Sequence, residues 1–144
     1  MDKILFVHKV LFFTCLFQTI VFGQILAWDT HGLAGNEATV NSTTTNVNLS
    51  TSTLSRGGGI NPSALINAFS STSFLVGATL ANALSSNQFL QFTVSASAGY
   101  KVSLSTLDAN FRRSTTGPNK FQWQYSLDGF LPYGNAIHSE CFIQ

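Results

Sequence analysis

The side chains able to do chemistry in this 144-residue chain are few, and their spacing limits what they could do. Beyond the N-terminal stretch the histidines are His31 and His138, with no clustered ligands beside either. Zinc needs three or four convergent nitrogen or sulfur donors, so no zinc site is expected. Neither a Gly-x-Ser-x-Gly elbow nor a His-Glu-x-x-His helix occurs. Gly57-Gly58-Gly59 is not followed by Lys-Ser or Lys-Thr, so it is no phosphate loop. The acids Asp29, Glu37, Asp108, Asp128 and Glu140 are scattered. A structural calcium using Asp29, Glu37 or Asp128 is conceivable, but no dense Asp/Asn loop supplies the six to eight oxygens it takes. No catalytic constellation and no cofactor are expected.

What remains is chemistry of recognition. Asp108, Asn110, Arg112, Gln122 and Gln124, with Lys101, fall at alternate positions of apolar-polar stretches. On one sheet face such amides, a carboxylate and a guanidinium could hydrogen-bond a hydroxyl-rich ligand; a plain solvated face would look the same. Trp123 and Tyr125 could stack on sugar rings, yet they alternate with the glutamines and share a side with Phe121 and Leu127, which favours core packing. Arg112-Arg113 sends its two side chains to opposite sides, and one is expected to pair with Asp108 or Asp128.

The elements that would position these groups are strands. Leu90, Phe92, Val94 and Ala96 alternate with polar residues, as do Tyr100, Val102 and Leu104, then Leu107, Ala109 and Phe111, then Phe121, Trp123, Tyr125 and Leu127. Period-two alternation puts one set on a buried face and the other in water. The expected core is Leu90, Phe92, Val94, Val102, Leu104, Phe111, Trp123 and Tyr125. Ala98-Gly99, Thr116-Gly117-Pro118-Asn119 and Asp128-Gly129 are turn sequences. Ile25 to Asp29 is a short strand candidate, followed by a turn over Asp29-Thr30-His31-Gly32. The Ser/Thr/Asn-rich run from Glu37 to Ser55 predicts one or two edge strands. Ala64 to Phe69 and Thr79 to Leu84 predict one or two short helical turns. The fold class is therefore all-β, an antiparallel β-sandwich.

The first residues set the compartment. Lys3, His8 and Lys9 stand against one acid, Asp2, and Val10 to Phe22 is an uncharged run of 13 residues. Val21 and Gly23 occupy the −3 and −1 positions of a cleavage before Gln24, so residues 1–23 are read as a secretory signal peptide. A membrane anchor would need roughly 20 apolar residues, and Thr14, Gln18 and Thr19 dilute this shorter run. Membrane contact is expected only through the signal before its removal. Cleavage leaves residues 24–144, or 121 residues, with five acids and five bases. Zero net charge offers no field for a phosphate backbone, so nucleic acid is not an expected partner. Cys15 leaves with the signal and Cys141 is left single, so no intramolecular disulfide forms.

Leu26-Ala27-Trp28-Asp29, Leu54-Ser55-Arg56-Gly57-Gly58-Gly59, Phe89-Leu90-Gln91-Phe92-Thr93-Val94, Leu107 with Arg112-Arg113 before Gly117-Pro118, and Phe121-Gln122-Trp123-Gln124-Tyr125-Ser126-Leu127-Asp128-Gly129 follow one another in order. This series resembles the N-terminal part of a jelly-roll-like β-sandwich module of secreted, multidomain, Bacteroidota-type surface proteins. The resemblance covers about residues 25–130 and implies fold more than activity. It implies a partial module over 24–130 and a divergent tail over 131–144, as in a truncated or frameshifted reading of a longer gene.

Three functions fit: a secreted or cell-surface, non-catalytic binding or adhesion module, with an extracellular glycan or cell-surface component as partner; a structural spacer without a ligand; or an accessory part of a larger secreted hydrolase. Exposed aromatic side chains on a concave face would favour the first, and a featureless polar face the second.

Overall fold

The computed structural model describes residues 23–127 and 129. Residues 1–22, which hold most of the expected signal peptide, Asp128, and residues 130–144 with His138 and Cys141 lie outside the described residues.

The chain is all-β with antiparallel pairing. In order it forms β1 (Leu26–Ala27), β2 (Val40–Asn41), β3 (Thr44–Thr45), β4 (Thr53–Arg56), β5 (Asn61–Pro62), β6 (Ser71–Thr72), the helix α1 (Leu80–Ser85) and β7 (Leu90–Gln91). β1 pairs with β3, β4 lies between β2 and β7, and β5 pairs with β6. Register is set by Leu26 opposite Thr45, Val40 opposite Leu54, Arg56 opposite Leu90 and Pro62 opposite Ser71.

The strands are short because hydroxyl and amide side chains take over backbone partners that a ladder would otherwise hold. Thr43 Oγ1 accepts from the Asp29 amide at 2.9 Å and donates to the Ala27 carbonyl at 3.2 Å. Ser42 Oγ accepts from the Ser52 amide at 3.1 Å, and Ser52 Oγ donates to the Thr93 carbonyl at 2.7 Å. Ser52 is buried together with Val40 and Ile60.

The turn at Asp29 forms as expected: the Asp29 carboxylate accepts from the His31 amide at 2.9 Å, and Gly32 takes a φ of 85°. The Ser/Thr/Asn run carries β2 and β3 and leads into β4. The helix also lies where the sequence places it. Thr79 caps it by accepting from the Asn82 amide at 3.2 Å, and Asn87 ends it at φ 52°.

Two expectations need correction. The helical turn over Ala64 to Phe69 does not form. Asn67 adopts φ 60°, and the amides of Leu65, Asn67 and Ser70 donate to the carbonyls of Ala34, Leu33 and Gly35 at 2.8–2.9 Å. Remote carbonyls thus satisfy donors that a helix would have turned inward.

The second correction concerns the later strands and the core. Residues 89–97 divide their pairing: Phe89 to Gln91 against β4 and the Gly57 amide, and Ser95 to Ser97 against Asn48 to Ser50. Over residues 101–124 no strand forms. Leu104 is 60% exposed, Phe111 54% and Tyr125 46%, and Leu90 is exposed as well. Phe92, Val94, Val102 and Trp123 are half-buried. Alternation gives a segment two faces, but a face is buried only where another layer lies across it. Among the described residues the strands in extended contact are the hydrogen-bonded neighbours themselves.

Candidate functional site

The proposed recognition residues sit on the segment after Tyr100. Asp108, Asn110 and Arg112 are exposed, and Gln122 and Gln124 are half-buried. No ladder fixes their spacing, so they do not form the ordered face that strict alternation implied. Of the carboxylates expected to pair with Arg112-Arg113, Asp128 lies outside the described residues. Arg113 reaches no carboxylate among the described residues; its Nη1 donates to the carbonyls of Ser114, Thr115 and Gly117 at 3.3–3.4 Å and so closes the turn before Pro118. The amide of Gly117 donates to the Ser114 carbonyl at 3.1 Å in the same turn.

What the structure does bring together on this segment is aromatic. The Phe111 and Phe121 ring centroids are 4.5 Å apart, and Trp123 lies 5.9 Å from Phe111 and 6.0 Å from Phe121. The Phe121–Trp123 pair is edge-to-face at 86°, a favourable arrangement of ring quadrupoles. Phe111 and Trp123 were expected to meet, and they do, but at the surface: Phe121 is 37% exposed and Phe111 more so. Gln122 and Gln124 flank Trp123, and Asn110 and Arg112 flank Phe111. The cluster thus offers ring faces and edges on a segment whose neighbouring positions carry planar hydrogen-bonding groups.

A second constellation, centred on Arg56, was not anticipated. Arg56 is the only charged residue between Glu37 and Lys101, which in retrospect marks it. Its Nε donates to Ser71 Oγ at 2.7 Å, and Nη2 donates to the carbonyls of Ser70 at 2.7 Å and Gly35 at 3.1 Å. Nη1 donates to the Glu37 carbonyl and, at 3.4 Å, to that of Ala38. The guanidinium also lies 3.5 Å from the centre of the Phe69 ring. Partial burial lowers the Arg56 pKa, while the Glu37 charge acts the other way. The Glu37 carboxyl is held below its ordinary value by backbone N–H donors, its own first and then Ala34 and Gly35, against a smaller opposing effect of desolvation; the charge of Arg56 adds to the lowering. Its oxygens accept from Ala34 at 2.7 Å and Gly35 at 3.0 Å. With its donors turned on the chain's own carbonyls and the Ser71 hydroxyl, this is a fastening between β4, β6 and the loop before β2.

Metal chemistry finds little here. Asp29 and Glu37 spend carboxylate oxygens on backbone amides. Among the described residues no three His, Cys, Asp or Glu side chains gather in one place. No helix among them is long and apolar enough to cross a membrane.

A shallow hollow lies apart from the aromatic cluster, between the turn at Asn46 to Leu49 and the segment Tyr100 to Ser103, with a volume of about 240 Å³. Compared with protein-family models, curated proteins and solved structures, the chain matches none.

Proposed function

We propose that the chain is a secreted or cell-surface, non-catalytic module that binds carbohydrate, built on the plan of the jelly-roll-like modules it resembles. The observation that carries this reading is the Phe111–Phe121–Trp123 cluster, with Phe111 and Phe121 exposed and Trp123 half-buried, and with Asn110, Arg112, Gln122 and Gln124 beside its rings in the chain. Aromatic rings left in water are costly unless something covers them. A pyranose has an apolar C–H face that stacks on such rings and equatorial hydroxyls that meet amides and a guanidinium. Asp108 would act at the edge of the same surface.

The exposed Leu104, Leu107 and Leu127 favour a second reading. Sugars have little use for leucines, whereas another protein domain would cover them. In that case the chain is a spacer or the accessory part of a larger secreted hydrolase.

The test is retention of the exported protein on insoluble cellulose, chitin, xylan and pectin, beside a Phe111→Ala/Phe121→Ala variant. Retention on at least one polysaccharide that the double variant loses is expected. No retention on any of the four, or retention indifferent to the variant, would defeat the proposal. Tryptophan emission confirms that both proteins are folded.

A further inference from the structure

The hollow at the N-terminal end of the described chain is built on a fixed frame. The Asn46 amide donates to the Ile25 carbonyl at 2.8 Å, and the Leu49 amide donates to the Asn46 carbonyl at 2.9 Å. Asn46 Oδ1 accepts from the Asn48 amide at 2.9 Å, closing an Asx turn. The Ser97 amide donates to the Asn48 carbonyl at 2.9 Å, and the Tyr100 amide to the Ser97 carbonyl at 3.0 Å. The two turns that wall the hollow are therefore tied to each other, and the side chains on them are presented from defined backbone.

Ile25, Leu49 and Val102, all half-buried, supply its apolar part, and Asn46, Asn48, Tyr100, Lys101 and Ser103 supply its polar part. Tyr100 is 56% exposed, so its ring is open to a ligand. Asn46 has spent its oxygen on the Asx turn and keeps its NH₂ group. Lys101 forms no ion pair among the described residues, and no carboxylate lines the hollow. The residues around it thus carry one aromatic ring, amide donors and an ammonium without an ion pair among the described residues. At about 240 Å³ the hollow is smaller than the roughly 300–1,000 Å³ clefts that hold drug-sized ligands, and it suits one sugar ring.

We infer that this hollow is a subsite for an acidic pyranose of the uronic acid class, with Tyr100 against the sugar ring and Lys101 paired to its carboxylate. The inference rests on the carbohydrate reading above and names the sugar chemistry that a second contact would select. Neutral sugars would leave the ammonium without an anion. A solvent-exposed ion pair is a modest interaction, so selectivity for the acid over its uncharged ester is about 1.5- to fivefold, and it shrinks with added salt.

The test uses the full chain as exported, titrated calorimetrically with trigalacturonate, its methyl ester and neutral xylotriose. Expected are tighter binding of the acid than of the ester, loss of that difference in Lys101→Gln, and weaker binding of both in Tyr100→Ala. Lys101 is exposed, so Lys101→Gln leaves folding intact and reads the charge alone. Equal binding of acid and ester, or a preference that Lys101→Gln does not alter, overturns the inference. If neutral xylotriose then still binds and Phe111→Ala/Phe121→Ala abolishes it, the carbohydrate reading survives without this subsite. If no saccharide binds in any form, both fall together.

Discussion

Replacing Arg56 tests the most heavily bonded side chain in the molecule. In Arg56→Met the alkyl stem keeps its packing while the guanidinium disappears. The carbonyls of Gly35, Glu37 and Ser70, all partly buried, then lose a charged donor, as does Ser71 Oγ. A hydrogen bond to a charged group contributes about 1.5–3 kcal/mol when well buried and less where water can replace it. Four such contacts discounted to roughly 0.5–1 kcal/mol each for partial solvation give about 2–4 kcal/mol. The Phe69 contact adds about 0.5–1 kcal/mol. The sum of about 3–5 kcal/mol is a large share of the 5–15 kcal/mol that holds an ordinary domain together. Arg56→Lys keeps the charge but lacks the planar fork that reaches β6 and both ends of the loop before β2 at once, so it recovers less than half of the loss. The assay is urea denaturation of the full chain followed by tryptophan fluorescence, with Phe69→Ala as the partner variant to separate the ring contact. A loss below about 1 kcal/mol in Arg56→Met, or full rescue by Lys, would refute the view that the guanidinium fastens these segments.

Adjacent glycines should respond in opposite ways. A Cβ at Gly59 would fall on the Ser86 carbonyl, whereas one at Gly58 meets open space; Gly59→Ala should cost about 2–3 kcal/mol and Gly58→Ala within about 0.5 kcal/mol of nothing, both read by thermal melting. Because the Glu37 carboxyl is held below its ordinary value in the folded chain, its contribution is complete above the unfolded-state value and is lost as pH falls through the lowered folded one. Denaturation measured from neutral to acid pH should show that loss in the parent and a shallower dependence in Glu37→Gln; parallel profiles would remove Glu37 from the account. Export should cut the chain between Gly23 and Gln24, so N-terminal sequencing of secreted protein should find Gln24, in part as pyroglutamate; membrane-held protein retaining Met1 would contradict the signal-peptide reading.

Local chemistry was legible in the sequence. The all-β class followed from alternation and from the density of Ser, Thr and Asn, whose side chains disfavour helix interiors. The turn at Asp29 and the capped helix at Thr79 were legible because each is decided within four or five residues, by an Asx oxygen in one case and a threonine hydroxyl in the other. The meeting of Phe111 with Trp123 was legible too, since alternation sorts side chains by face. Their exposure was not, because burial depends on whether another layer covers that face. The segment at Ala64 to Phe69 looked helical for the same reason: nothing in its own residues announces that the carbonyls of residues 33–35 stand within reach of its amides. Arg56 was visible only as a lone charge in a long polar stretch. That it gathers carbonyls from residues 35–38 and 70 is a property of how β4 and β6 lie in space, and a guanidinium's partners are set by that placement and not by its neighbours in the chain.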